Sequence, residues 1–76
     1  MELNEFVAKF AELFEDTDAS VFTPDTYFRE LEEWSSFMGL SVIAMVDEEY
    51  DVTLKGIDVK NSETIEDLFN IVKERA

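Results

Sequence analysis

Apolar residues recur at helical spacing in three separate stretches of the chain. Leu3, Phe6, Val7, Phe10, Leu13 and Phe14 fall on one face, with Glu5, Lys9, Glu12 and Glu15 on the other. This pattern predicts an amphipathic helix over roughly residues 3–15, and Asp16-Thr17-Asp18 breaks it. A second helix is expected from about Ser36 to Tyr50. Here Phe37, Met38, Leu40, Val42, Ile43, Ala44, Met45 and Val46 cover far more than one stripe. Such a helix is buried nearly all round or offers apolar surface to a partner. Ser36 is expected to be its N-cap, because a hydroxyl there can accept from a free N–H of the first turn. A last helix begins after Thr64, with Ile65, Leu68, Phe69 and Val72 at i, i+3, i+4 and i+7. Thr64-Ile65-Glu66-Asp67 has the form of a capping box, with Asp where Glu or Gln is usual.

The two connections are not featureless. Residues 16–35 carry Val21, Phe22, Tyr27, Phe28 and Leu31, which are too apolar to leave in water. The segment should therefore fold back onto the core, since a bare loop of that length is uncommon in a compact domain. Thr23-Pro24-Asp25-Thr26 reads as a turn within it. In residues 51–61, Val52 and Leu54 should point inward, and Gly56-Ile57-Asp58-Val59 should form one short helical turn. The expected architecture is all-α: a small four-helix bundle of three main helices and a short third one, with a long first loop. The six residues Phe6, Phe10, Phe14, Phe22, Phe28 and Phe69 are its natural core.

Composition narrows the chemistry. A single domain of 76 residues buries only about 60% of the surface its unfolded chain exposes. There is no cysteine and no histidine, which removes thiolate chemistry, disulfides, and the commonest general base and metal ligand. The net charge is -13, from 19 acidic and six basic residues. That surface repels nucleic acid phosphates and anionic lipid, and favours proteins with basic patches. No stretch reaches the ~20 apolar residues of a membrane span, and the acidic start Met1-Glu2-Leu3-Asn4-Glu5 is unlike a secretory signal. A soluble, cytoplasmic protein is the expectation, with no nucleic acid partner and no membrane insertion. The cluster Asp47-Glu48-Glu49 with Asp51 invites a calcium reading. It fails the EF-hand pattern, because the sixth position is Val52 rather than Gly and the twelfth is Asp58 rather than Glu. Glu32 and Glu33 could form a carboxylate pair, but adjacent acids before a helix are ordinarily solvated.

Over nearly its whole length the chain resembles the acyl carrier proteins. That family's signature is Asp-Ser-Leu opening the second helix, which is apolar and ends in an acidic run and an aromatic. Ser35-Ser36-Phe37 stands in the signature position, and Asp47-Glu48-Glu49-Tyr50 closes the helix at the family's spacing. Val52-Thr53-Leu54 and Thr64-Ile65 also fall where the family places a loop anchor and its last helix. The resemblance implies a 4'-phosphopantetheine arm, taken from coenzyme A by a phosphopantetheinyl transferase and attached to Ser36. It implies acyl groups carried as thioesters between enzymes of fatty-acid or related lipid and polyketide synthesis. The protein itself would be a non-enzymatic monomer, with no catalytic residues and no metal. Docking to basic patches on acyl-processing enzymes would involve Ser35, Phe37, Met38, Ser41, Met45, Asp47 and Glu48. Some of the core aromatics would line a cavity for the acyl chain.

The chain departs from the family pattern at three places. Ser35 replaces the signature Asp, Met38 and Ser41 replace acids common on the docking helix, and Trp34 is bulkier than the usual residue. These changes bear on partner choice and point to a specialised carrier. Without the resemblance, Ser-Ser before a helix is simply a cap, and Met38 and Met45 are equally core filling or a soft docking face. Two rival readings stand beside the acyl carrier: a carrier of aminoacyl groups, and an acidic adaptor of the same fold that never receives an arm.

Overall fold

The computed structural model describes all residues, 1–76, and is all-helical. Four α-helices follow in order: α1 (Leu3–Ala11), α2 (Ser36–Tyr50), α3 (Gly56–Lys60) and α4 (Ile65–Arg75). Two 3-10 turns, Ala19–Val21 and Phe28–Glu30, lie in the long first connection. α1 packs on α2 and α4, and α3 packs on the same two helices. No helix is long and apolar enough to cross a membrane.

α1 buries Phe6, Val7 and Phe10 as its spacing requires, but it stops four residues short of the expected end. Leu13 N–H donates to the Phe10 carbonyl at 3.2 Å, and Phe14 N–H to the Ala11 carbonyl at 3.0 Å. These i→i−3 bonds tighten the chain into turns that keep helical spacing without α geometry. The tightening turns Phe14 onto Phe22, with ring centroids 5.1 Å apart, and onto Trp34, at 6.3 Å.

The long connection is tied down at both ends and in the middle. Glu33 Oε1 accepts from Thr17 Oγ1 at 2.7 Å and from Asp16 N–H at 3.2 Å, so this acid closes the loop on itself. Phe22 and Phe28 are buried, as the pattern requires. Val21 and Tyr27 are exposed instead. Backbone bonding fixes both positions: Val21 closes a 3-10 turn and its carbonyl accepts from Thr26 Oγ1 at 2.9 Å, and Tyr27 bridges to Thr64. The expected turn at residues 23–26 forms, with Thr26 N–H donating to the Thr23 carbonyl at 3.1 Å. Beyond it, the carbonyls of Thr26 and Pro24 accept from the N–H groups of Ile65 and Glu66 at 3.2 and 3.0 Å. The loop thus satisfies two of the donors that the first turn of α4 leaves open. Thr64 and Asp67 complete the capping box: Asp67 N–H donates to Thr64 Oγ1, and Thr64 N–H to Asp67 Oδ2, both at 3.1 Å.

α2 ends at Asp51, a non-glycine residue in the left-handed region at φ 56°. Aspartate tolerates that conformation better than most residues. Val52 and Leu54 then turn into the core as expected, and α3 begins after Lys55. Although only five residues long, α3 is anchored through Asp58. That carboxylate accepts from Lys55 N–H at 2.8 Å and from Arg75 Nη1 and Nη2 at 2.7 and 2.9 Å. Arg75 also donates to the Thr53 carbonyl at 3.2 Å. The Arg75 bonds, followed by the Lys55 N–H, hold the Asp58 carboxyl below the usual carboxylate range. The core is one cluster of seventeen buried residues, including all six phenylalanines expected there.

Candidate functional site

The mouth of α2 assigns different roles to its two serines. Ser35, not Ser36, is the N-cap: its backbone is extended, and Met38 N–H donates to its Oγ at 3.3 Å. Ser36 is the first helical residue and is exposed, with its hydroxyl outside the cap. The expectation shifts by one position because either hydroxyl could reach a first-turn N–H, and Ser35 is the residue with extended φ and ψ. The shift leaves Ser36 exposed and outside the cap.

Trp34 builds the wall next to it. The indole sits edge-on to Phe28, with centroids 5.1 Å apart, and lies along the Phe14 ring. It also approaches the backbone of Gly39, where an added Cβ would lie 3.5 Å from Cζ2. Between this wall, the first turns of α2, and α3 is a cleft of about 300 Å³. Its lining combines Ser36 with apolar Trp34, Leu40, Ile43 and Val59 and basic Arg29 and Lys60. Arg29 Nε donates to the Ser62 carbonyl at 3.1 Å, which fixes the guanidinium at the rim.

The residues expected on a docking surface divide in two. Ser35 and Phe37 are exposed, Phe37 at 72%, and Leu40, which was not among the expected residues, is exposed beside them at 66%. Asp47 and Glu48 are also exposed at the far end of α2. Ser41 is partly buried, and its hydroxyl donates back to the Phe37 carbonyl at 3.1 Å. Met38 and Met45 are buried in the core, so these two are filling and not docking surface. The apolar excess of α2 is therefore shared between the core and an exposed strip beside Ser36. The remaining acid of the terminal run, Glu49, is paired with Lys9 at 2.9 Å.

Arg29, Lys60 and the cleft itself had no periodic signal, since Arg29 lies in the long connection and α3 is too short to show a face. One sign was available. An isolated glycine inside an apolar helix usually marks a close neighbour, and Gly39 faces Trp34.

A phosphodiester on Ser36 is compatible with these surroundings. The oxygen is exposed at the first turn of a 15-residue helix, where the dipole favours an anion. No carboxylate lines the adjoining cleft.

No protein-family model matches the chain, and no curated protein or solved structure matches it.

Proposed function

We propose that this chain is an acyl carrier that bears a phosphopantetheine arm on Ser36. The observation carrying this reading is the division of labour between Ser35 and Ser36, which leaves one unengaged hydroxyl beside an apolar cleft. In the transfer, Ser36 Oγ forms a bond to the β-phosphorus of coenzyme A. The pyrophosphate bond breaks, the adenosine bisphosphate departs, and the hydroxyl proton passes to a base on the transferase. Once attached, the arm supplies a thiol that a cysteine-free chain lacks. The chain's own contribution is to present the oxygen beside a cleft without carboxylates in its lining, and to offer Phe37, Leu40, Asp47 and Glu48 to partner enzymes with apolar and basic surface. On this reading the protein is not itself an enzyme.

The test is intact mass after incubation with coenzyme A and a broad-specificity phosphopantetheinyl transferase, with the modified peptide sequenced. One added arm on Ser36 is the expected result. A folded protein that gains no mass would overturn the proposal and leave the unmodified adaptor. Loading of an amino acid by an adenylating enzyme would instead select the aminoacyl carrier.

A further inference from the structure

Arg29 and Lys60 are two of the four basic side chains outside the ion pairs, and Arg29 also borders Glu30 and Glu63 in the neighbouring cleft. The chain's two ion pairs engage Lys9 and Arg75, so neither Arg29 nor Lys60 is paired with an acid. Both line the cleft beside Ser36. Of the five clefts on the surface, this is the one without an Asp or Glu in its lining, although the chain carries 19 acids. Arg29 is also rooted. Its Nε bonds the carbonyl of Ser62, a buried residue whose hydroxyl donates to the Asp58 carbonyl at 2.9 Å. A purely structural account explains that root, and the favourable place of Lys60 in the last turn of α3. It does not explain why two cations outside any ion pair and four apolar side chains meet in a cleft whose lining holds no carboxylate.

We propose that this cleft binds an oxyanion carried on an apolar stem. The stem lies against Trp34, Leu40, Ile43 and Val59, and the charge is held by Arg29 and Lys60. The binding stands on the cleft alone, while the source of the ligand rests on the carrier reading. Two sources share this chemistry: the phosphodiester of an arm on Ser36, and a carboxylate on the carried acyl group.

The experiment titrates the full, unmodified chain with octanoate, octyl phosphate and neutral octanol, following backbone amide resonances. Both anions should move the amides of Gly39, Gly56 and Lys60, and octanol should bind several-fold more weakly. Arg29→Gln with Lys60→Gln should weaken anion binding about tenfold, the scale of two exposed charge contacts. Lys60→Gln alone, which removes no hydrogen bond of the fold, should weaken it about threefold. Octanol binding as tightly as octanoate, or a double variant that binds both anions like the parent, would overturn the proposal. Repeating the titration on phosphopantetheinylated protein separates the sources. If octanoate no longer binds and the phosphorus resonance moves in the double variant, the phosphodiester occupies the site. If octanoate still binds and that resonance stays put, the site serves a carboxylate of the cargo. Failure of Ser36 to accept an arm would sink the carrier reading and leave the first titration standing.

Discussion

The two sides of α2 carry clefts of similar size and opposite character. On the α1 side, a cleft of about 380 Å³ is lined by Glu12, Glu48 and Glu49, and its lysine, Lys9, is paired with Glu49. On the α3 side, the 300 Å³ cleft has no acid and two unpaired cations. Volume does not distinguish them, whereas the placement of charge does. In a domain at -13, a surface without carboxylates is the exception that needs a cause, and it is the surface that adjoins Ser36.

The largest expected effect that sharpens this contrast is chemical. Ser36→Ala should abolish arm loading outright, and loading that persists in this variant would remove Ser36 as the site. Because the hydroxyl is not the cap, thermal unfolding of the variant should match the parent. The neighbouring change has the converse outcome: Ser35→Ala should keep the loading site and lose about 1 kcal/mol of stability in denaturant titration.

A change in the anchor of α3 comes next. Asp58→Ala removes a bidentate partner of Arg75 and the acceptor for Lys55 N–H. Breaking a fully buried pair costs about 3–5 kcal/mol. Arg75 is nearly half in water, so about 2 kcal/mol is expected here. The same contact sets an acid dependence. The Asp58 and Asp67 carboxyls are both held below their ordinary value in the folded state, by Arg75 and by the N–H groups of Thr64 and Glu63 respectively. Their contribution is complete above the unfolded carboxylate value near 3.8 and lost as pH falls through the lower folded values. Chemical denaturation should therefore show stability declining below about pH 4, and Asp58→Asn should flatten part of that decline.

On the other side of the bundle, the Tyr50 hydroxyl is buried without a partner, and burial pushes its pKa up. Its ring packs on Phe6 at 5.8 Å. Tyr50→Phe keeps the ring and removes the orphaned oxygen, so stability should rise by about 1 kcal/mol. A destabilised variant would show that the hydroxyl does have a partner. The smallest effect belongs to Lys9→Ala, whose pair with Glu49 is exposed and open to screening. Its melting temperature should equal the parent's at physiological salt. The parent itself should melt higher there than at low ionic strength, as screening relieves self-repulsion.

How legible each part was depended on how local its cause is. α4 could be read from its period and from Thr64-Asp67, because both period and cap lie within a few residues of each other. The six core phenylalanines were legible for a related reason, since no exposed alternative accommodates so much aromatic surface. Val21 and Tyr27 were misplaced because hydrophobicity alone does not say which way a 3-10 turn or an isolated bridge directs a side chain. The end of α1 was overrun because Leu13 and Phe14 keep helical spacing in tighter turns. At the mouth of α2 a capping hydroxyl was legible, but which of Ser35 and Ser36 supplies it rested on one residue's backbone angles. Arg29 and Lys60 lie 31 positions apart in the sequence. The bond from Arg29 Nε to the Ser62 carbonyl joins the long connection to the end of α3, and no local pattern encodes that meeting.

The two bonds from Ile65 and Glu66 to the carbonyls of Thr26 and Pro24 also constrain the order of assembly. They join segments some forty residues apart, and contacts of that span form late and slowly. During vectorial synthesis the Pro24 and Thr26 carbonyls lack these donors until the C-terminal helix has emerged. The aromatic cluster of Phe14, Phe22, Phe28 and Trp34 and the local turns can form earlier, but the tie to α4 must wait. A nascent chain stalled before Thr64 should accordingly be cut by protease within residues 16–35, and the finished chain should resist there.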